Sequence, residues 1–282
     1  MFFKIICLFF VVFANLSLLP VYANEFNNKL NLKSNEHIRS YLFQNKEGLI
    51  ITEINTNADI TIKPFVSEKL ITNKEVYDLL SPLLVVNAGF FDGANGKTVS
   101  YIVQNGKTIA TPEDNENLYT NPILSKHMSK ILNRSEFRVL KKGNKIKYDI
   151  TFHHQLPQNG WEILHSIQAG PMLLPKETLE EEFFVTYDKN NNLTRDAISA
   201  TRKSARTAIG LRGDKVVIIV ATRENPLTID ELSQICKQLK LKKAMGFDGG
   251  GSTSLDTKDI HITSEKDGSA RRVKSFLVVD RK

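Results

Sequence analysis

Cysteine is scarce in this sequence, which holds only Cys7 and Cys236 among its 282 residues. Cys7 lies in an apolar N-terminal run that we expect to be removed, so the remaining thiol has no internal partner and the fold cannot depend on a disulfide. Cys236 lies on the apolar face of a predicted helix, where a free cysteine usually acts as a small packing residue. The spacings typical of zinc-binding Cys and His residues are also absent from the sequence.

Long hydrophobic runs are missing except at the N-terminus. Lys4 precedes an apolar run over residues 5–19, and Val21 and Ala23 occupy the two critical positions before a cleavage site. This pattern predicts a signal peptide over residues 1–23, cleaved after Ala23, and therefore a secreted or periplasmic protein. Because no later segment is long and apolar enough to cross a bilayer, we expect no membrane span after cleavage.

Acidic residues are fewer than basic ones: the chain has 31 Asp and Glu against 38 Lys and Arg, for a formal net charge of +7. A basic protein favours anionic surroundings. The basic residues are scattered apart from a group at 141–147, and no nucleic-acid-binding motif is present. We therefore expect no nucleic-acid partner, and a phosphate-bearing glycan is the anionic partner that suits an exported protein.

The richest chemical signal is the segment 246–253, which reads Gly-Phe-Asp-Gly-Gly-Gly-Ser-Thr. Consecutive glycines permit positive φ and the close approach of a ligand to the backbone, and their N–H groups can form an anion-binding concavity. Neither the P-loop, which needs a lysine before the hydroxyl, nor the dinucleotide fingerprint is matched. The candidate residues of this segment are Asp248, Gly249, Gly250, Gly251, Ser252 and Thr253.

Three further turns carry candidate residues. Asn87, Gly89 and Asp92 lie in Asn-Ala-Gly-Phe-Phe-Asp, directly after the apolar run 83–86. Gly170 begins a Gly-Pro turn, which restricts the backbone and can aim a peptide N–H into a cleft. Arg206 lies among small residues, and its planar guanidinium suits two-point contact with a phosphate or a carboxylate.

Strand and helix signals alternate along the chain without repeats or a linker that would divide it. Capping boxes at 72–75 and 228–231 predict two helix starts, and Asn-Gly at 105–106 predicts a hairpin. A strand at 216–221, a helix from 229 and a strand ending before Asp248 suggest a βαβ unit. We therefore predict one α+β domain over 48–282, with mixed and antiparallel sheets and a C-terminal βαβ unit leading into the glycine-rich loop, after a polar lead-in at 24–47.

The four segments, in this order, resemble the phosphodiester glycosidase family over about residues 85–280. Asp-Gly-Gly-Gly-Ser-Thr is the most specific of them. Family members often have Gly where this chain has Ala88, and Thr-Met where it has Ser254-Leu255. The resemblance implies an exported hydrolase that cleaves the sugar C1–O bond of a sugar-1-phosphodiester, such as N-acetylglucosamine-1-phosphodiester, in an envelope or extracellular glycan.

The resemblance and the residue types together suggest roles for the candidates. Asp248 is the base or nucleophile, and Asp92 is the second carboxylate. Asn87 would bind a sugar hydroxyl, while Arg206 and the glycine-rich loop would hold the departing phosphate. Gly89 and Gly170 would lie against the substrate. Strong general-acid catalysis is less necessary because a phosphate monoester leaves as a stable anion. No cofactor is expected.

Two other functions remain consistent with the residues alone. Asp248, Asp92 and Asn87 offer the oxygen ligands that hard divalent cations prefer, so a metal-dependent phosphodiesterase that breaks the P–O bond is one of them. The other is a non-catalytic protein that binds an anionic polysaccharide. EDTA sensitivity and the release of free sugar distinguish both from a glycosidase.

Overall fold

The computed structural model describes residues 31–34, 36–265 and 267–282. The predicted signal peptide lies outside the described residues, as does the start of the predicted lead-in. In the described part of the chain, none of the helices is long and apolar enough to cross a membrane.

Strands make up most of the regular structure. In chain order they are β1 (Asn31–Ser34), β2 (Ile38–Leu42), β3 (Leu49–Asn55), β4 (Ile60–Ile71), β5 (Leu84–Asn87), β6 (Ile102–Gln104), β7 (Lys107–Ala110), β8 (Ser135–Lys142), β9 (Lys145–Phe152), β10 (Glu162–Gln168), β11 (Met172–Leu174), β12 (Val185–Tyr187), β13 (Leu193–Asp196), β14 (Arg206–Arg212), β15 (Lys215–Ala221), β16 (Lys243–Gly246), β17 (Ser254–Asp256), β18 (His261–Thr263) and β19 (Val273–Arg281). The α-helices are α1 (Asn73–Leu80), α2 (Glu116–Thr120), α3 (Met128–Leu132) and α4 (Ile229–Gln238).

The strands form three larger sheets. A seven-stranded sheet has the order β1-β2-β3-β15-β14-β16-β11, and two five-stranded sheets have the orders β7-β6-β10-β8-β9 and β18-β17-β5-β19-β4. Strands β12 and β13 pair by themselves. Every strand pairing among the described residues is antiparallel. The prediction of mixed sheets is therefore wrong: the strand pairs that are far apart in the chain, such as β3 with β15 and β5 with β19, are antiparallel as well as the hairpins.

The three larger sheets share one apolar core. Ile54 of the seven-stranded sheet, Val86 of one five-stranded sheet and Ile150 of the other belong to the same buried cluster. A second cluster lies on the opposite face of the seven-stranded sheet, where α4 covers it and Cys236 is fully buried. Strand β15 is buried on both faces, which explains its unbroken apolar sequence.

The predicted βαβ unit forms only in part. Helix α4 starts at the capping box of Thr228 and Glu231 and connects β15 to β16, as predicted. Strand β14 lies between β15 and β16 and is antiparallel to both, so the two strands run in the same direction without pairing. The pairing of Ala208 with Gly246 brings the start of β14 beside the end of β16, and this contact places the glycine-rich loop.

Residues 31–34 and 36–47 of the predicted lead-in belong to the fold. Strands β1 and β2 extend the seven-stranded sheet beside β3. Tyr41 is fully buried, and its hydroxyl donates a hydrogen bond of 3.0 Å to the Glu53 carboxylate. The part of the chain expected to be loose, 24–39, thus contributes strand residues at Asn31–Ser34 and from Ile38 onward, and Ile38, Tyr41 and Phe43 supply buried apolar side chains that the polar composition obscured.

Candidate active site

A cavity of about 320 Å³ opens where the end of β16 meets the start of β14. Its walls come from all four predicted segments and include Phe90, Gly170, Arg206 and Asp248. Three larger depressions, of about 420, 440 and 490 Å³, contain none of the predicted site residues. Convergent polar groups rather than size identify the candidate site.

Asp248 is held in this cavity by its backbone. Its N–H donates to the Ala88 carbonyl at 2.8 Å, and its own carbonyl accepts from Asn87 Nδ2 at 2.5 Å. Burial raises the pKa of the Asp248 carboxyl to about 6, while the nearby Ser252 hydroxyl and the Arg271 guanidinium act in the opposite direction. Near pH 7 most molecules therefore carry a carboxylate that is only partly solvated, as a base or nucleophile requires.

Asn87 positions Asp248 and does not line the cavity. Its side chain is fully buried, and Oδ1 accepts hydrogen bonds from Thr207 Oγ1 at 2.8 Å and from the Ser254 N–H at 3.0 Å. With Nδ2 on the Asp248 carbonyl, this amide joins the ends of β5, β14 and β17. The predicted contact of Asn87 with a sugar hydroxyl is therefore replaced by a positioning role.

Arg206 holds a loop in place, and its guanidinium has no free pair of N–H donors for a ligand. Its Nε donates to the Leu227 carbonyl at 2.9 Å, and Nη1 donates to the Ile198 carbonyl at 2.8 Å. Nη2 donates to the carbonyls of Ser199 at 2.7 Å and Arg202 at 2.9 Å. Four of the five N–H donors are thus used by the backbone, and the predicted two-point phosphate contact is not available.

The glycine-rich loop offers fewer free amides than predicted. The N–H groups of Gly250, Ser252 and Thr253 donate to backbone carbonyls at 2.8, 3.1 and 3.2 Å. Gly250 has φ of +58°, a conformation that favours glycine. The Gly249 N–H hydrogen-bonds to the Asp248 carboxyl and lowers its pKa, so the Gly251 amide remains as the candidate anion contact in the cavity wall.

Ser252 and Thr253 lie beneath the loop and not in the cavity wall. Their side chains are 1% and 0% exposed. The Ser252 hydroxyl still influences the Asp248 carboxyl, whose pKa it lowers. The two hydroxyls predicted to donate to a phosphate are therefore not exposed in the cavity, and Ser252 acts on the Asp248 carboxyl.

Asp92 and Gly89 belong to the turn that follows β5. Oδ1 of Asp92 accepts from the Ala94 N–H at 2.8 Å and Oδ2 accepts from Asn117 Nδ2 at 2.7 Å, and these bonds lower the pKa of the carboxyl. Asp92 does not line the cavity, so the two predicted carboxylates are not brought together there. A Cβ on Gly89 would lie 2.9 Å from Ser275 Oγ, so this glycine is needed for packing.

Gly170 lines the cavity, but its N–H donates to the Gly246 carbonyl at 3.0 Å and so is not aimed into the cavity as the Gly-Pro turn suggested. The buried Glu182 lies next to this glycine. The backbone of Gly170 has φ of +102°, and a Cβ there would collide with Glu182 Oε2. Glu182 accepts from the N–H groups of Ser135 at 2.8 Å and Met172 at 2.7 Å. The sequence carries no signal for Glu182 beyond an acidic stretch, because the fold brings Ser135 to it from 47 residues earlier in the chain.

Arg271 is the cationic side chain that sequence reasoning missed. It comes from the loop before β19, lines the cavity, and its guanidinium carbon lies 5.0 Å from the centre of the Phe91 ring. A Cβ on Gly251 would touch Arg271 Cδ at 3.6 Å, so the arginine runs along the glycine-rich loop. Its charge lowers the pKa of Asp248. The only sequence signal was a pair of arginines in a polar stretch.

The described residues do not bring together three His, Cys, Asp or Glu side chains that could hold a metal ion. Asp248, Asp92 and Asn87, the oxygen ligands considered for a divalent cation, do not converge either. The Asn87 amide is used inside the fold, and Asp92 is bonded within its own turn. In the described structure these three residues therefore do not form one cation site.

Comparison with known proteins identifies the family. A family model for phosphodiester glycosidases matches residues 81–280. A hypothetical protein from Synechocystis has a similar structure, with a TM-score of 0.58 and 12% identity over 89% of this chain, which spans only 61% of that protein. None of the curated proteins matches.

A second solved structure is the catalytic domain of zebrafish N-acetylglucosamine-1-phosphodiester α-N-acetylglucosaminidase, auto-inhibited by its pro-peptide. It aligns with a TM-score of 0.59 and 15% identity, over 83% of this chain and 77% of that one. At these identities the likeness concerns the fold. Because the family model covers most of the sequence, this chain belongs to the phosphodiester glycosidase family.

Proposed function

We propose that the chain is an exported hydrolase that cleaves the C1–O bond of sugar-1-phosphodiesters in an envelope or extracellular glycan, with N-acetylglucosamine-1-phosphodiester as the first candidate. The observation that carries this proposal is the half-buried Asp248, whose pKa is raised to about 6, in a cavity that also contains the Arg271 guanidinium. Membership of the family supports the reaction class.

The reaction consumes one water molecule. The bond between sugar C1 and the bridging oxygen breaks, and that oxygen leaves with its electron pair as part of a phosphate monoester. Arg271 and the amide of Gly251 would face the phosphate and stabilise its charge. Phe90 and Phe91 supply an apolar wall for the sugar ring.

A single carboxylate suffices in this scheme. Within the described residues, Asp248 is the sole carboxyl group that lines the cavity. Ordinary glycosidases need a second carboxyl to protonate the leaving oxygen, whereas a phosphate monoester leaves as a stable anion. If Asp248 takes a proton from water, the anomeric configuration inverts; if it attacks C1, the configuration is retained. Proton NMR of the first sugar released distinguishes these routes.

Export rests on the sequence of the N-terminus. We propose that residues 1–23 are removed and that the mature protein begins at Asn24. N-terminal sequencing of the protein from the culture medium or the periplasm tests this. A mature protein that retains Met1 would contradict the proposed export route.

The hydrolase proposal is tested with the purified chain and a panel of sugar-1-phosphodiesters. We expect free sugar and phosphomonoester in equal amounts. Asp248→Asn should lower kcat by about 10²-fold or more, while the matched variant Asp92→Asn should keep most of the turnover. Binding without any release of sugar would overturn the proposal and favour the glycan-binding alternative.

A further inference from the structure

A second groove, of about 490 Å³, lies at the opposite end of the strands that carry the active site. It is bounded by β9, by the loop that ends at Trp161, and by Lys242 and Lys243 at the start of β16. The five residue steps from Lys243 to Asp248 span about 17 Å of extended chain. The groove and the catalytic cavity share no lining residue.

An exposed apolar surface marks this groove. Trp161, the one tryptophan of the chain, is only half-buried there. Leu156 of the same loop is 82% exposed. Aromatic rings combine a large apolar face with a polar edge and are enriched at binding surfaces. Exposed apolar side chains do not stabilise the fold, so their position here indicates a binding surface.

The groove is also positively charged. Lys147, Lys242 and Lys243 line it, and Lys147 Nζ lies 6.0 Å from the centre of the Trp161 ring. Asp149 is bound to Lys243 at 2.5 Å. In the described part of the chain, no carboxylate pairs with Lys147 or Lys242. Lys141, Lys142 and Lys145 on the same β-hairpin add to the positive charge.

We propose that this groove is a non-catalytic binding site for a phosphate-bearing glycan chain. A sugar ring would stack on Trp161, and phosphates would contact Lys147 and Lys242 as point charges. Gln155, Gln158 and Asp149 line the same groove and can accept hydrogen bonds from sugar hydroxyls. The Asp149 carboxylate can accept hydrogen bonds from a glycan rich in hydroxyls, whereas it would repel the continuous phosphate backbone of a nucleic acid. The site goes beyond the proposed hydrolysis and requires no turnover.

Tryptophan fluorescence provides a direct test, because the emission reports on Trp161 alone. The full chain is titrated with phosphomannan, a mannose polymer that carries phosphodiesters, in the Asp248→Asn background so that the polymer stays intact. We expect a saturable change that weakens with salt and is much smaller with neutral mannan. Lys242→Glu should raise the Kd about fivefold or more, and the exposed control Lys126→Glu should not.

Trp161→Ala has no tryptophan, so its binding is measured by its mobility in gels that contain phosphomannan. We expect its Kd for phosphomannan to be about tenfold higher than that of the parent protein. In the active protein, both Trp161→Ala and Lys242→Glu should leave hydrolysis of a small sugar-1-phosphodiester unchanged, which separates this site from the catalytic one. The proposal is overturned if phosphomannan leaves the fluorescence unchanged, if Lys242→Glu behaves like Lys126→Glu, or if single-stranded DNA binds as tightly.

Discussion

Replacing Asp248 by asparagine should make the protein more stable as well as inactive. The folded-state pKa of about 6 lies about two units above the ordinary value of 3.8. Ionisation of this carboxyl therefore costs more in the folded protein than in the unfolded chain. Its contribution to stability is full below pH 3.8 and is lost as the pH rises through 6, and two units correspond to about 3 kcal/mol.

An asparagine at this position would keep the shape of the side chain without this penalty. We expect Asp248→Asn to raise the free energy of unfolding by about 2–3 kcal/mol at pH 7.5, or about 5–10 °C in Tm for a chain of this size. Near pH 4 the difference should be small, because the wild-type carboxyl is then largely protonated in the folded state. Urea unfolding followed by circular dichroism at the two pH values measures both quantities.

The exposed Asp114→Asn is the matched control, and it should change stability by less than about 0.5 kcal/mol at either pH. The wild-type kcat/KM should rise with pH through about 6, as the base or nucleophile ionises. A variant Asp248→Asn that is destabilised equally at both pH values would refute the reasoning, because the carboxylate would then be held by favourable contacts rather than penalised by burial.

Other outcomes concern the arginines and the thiol. Arg206→Lys should lower the free energy of unfolding, measured in urea, by about 3–5 kcal/mol, since lysine cannot replace four hydrogen bonds. The control Arg202→Lys should change it by less than about 0.5 kcal/mol. If Arg206→Lys lost turnover with unchanged stability, Arg206 would be a ligand contact rather than a structural residue. Arg271→Ala should reduce kcat/KM on phosphodiesters about tenfold or more and affect a neutral aryl leaving group less, with Arg272→Ala as the control; equal losses on both substrates would contradict a phosphate contact. Cys236→Ala should keep its activity and cost about 1–2 kcal/mol of unfolding free energy; an inactive but folded variant would contradict a packing role.

Local signals in the sequence predict much of the secondary structure. The capping box at Thr72 begins α1, and that at Thr228 begins α4. Asn105 and Gly106 both have positive φ in the predicted hairpin turn. These features depend on residues within a few positions of one another. The order of the strands does not, and the insertion of β14 between β15 and β16 has no local signal.

The site was predictable in its location but not in its roles. Asp248 follows β16 and Gly170 precedes β11. These two strands are neighbours in the seven-stranded sheet, so both residues line the cavity. The sequence could not show that the Asn87 amide and the Arg206 guanidinium are used inside the fold. The partner Ser254 lies 167 residues from Asn87, and the carbonyls that Arg206 binds, at 198–202 and 227, are brought to it by a loop without a recognisable pattern. Arg271 was not predicted, because it reaches the site only when the fold brings the loop before β19 next to the glycine-rich loop.

The bond that breaks is the central claim, and hydrolysis in ¹⁸O-labelled water tests it most directly. N-acetylglucosamine-1-phosphodiester is cleaved by the purified chain, and both products are analysed by mass spectrometry. Because water or its equivalent attacks C1, we predict that the phosphomonoester carries no ¹⁸O and that the label enters the sugar. Label in the phosphomonoester would mean that the P–O bond breaks, and it would contradict the assignment of this protein as a glycosidase.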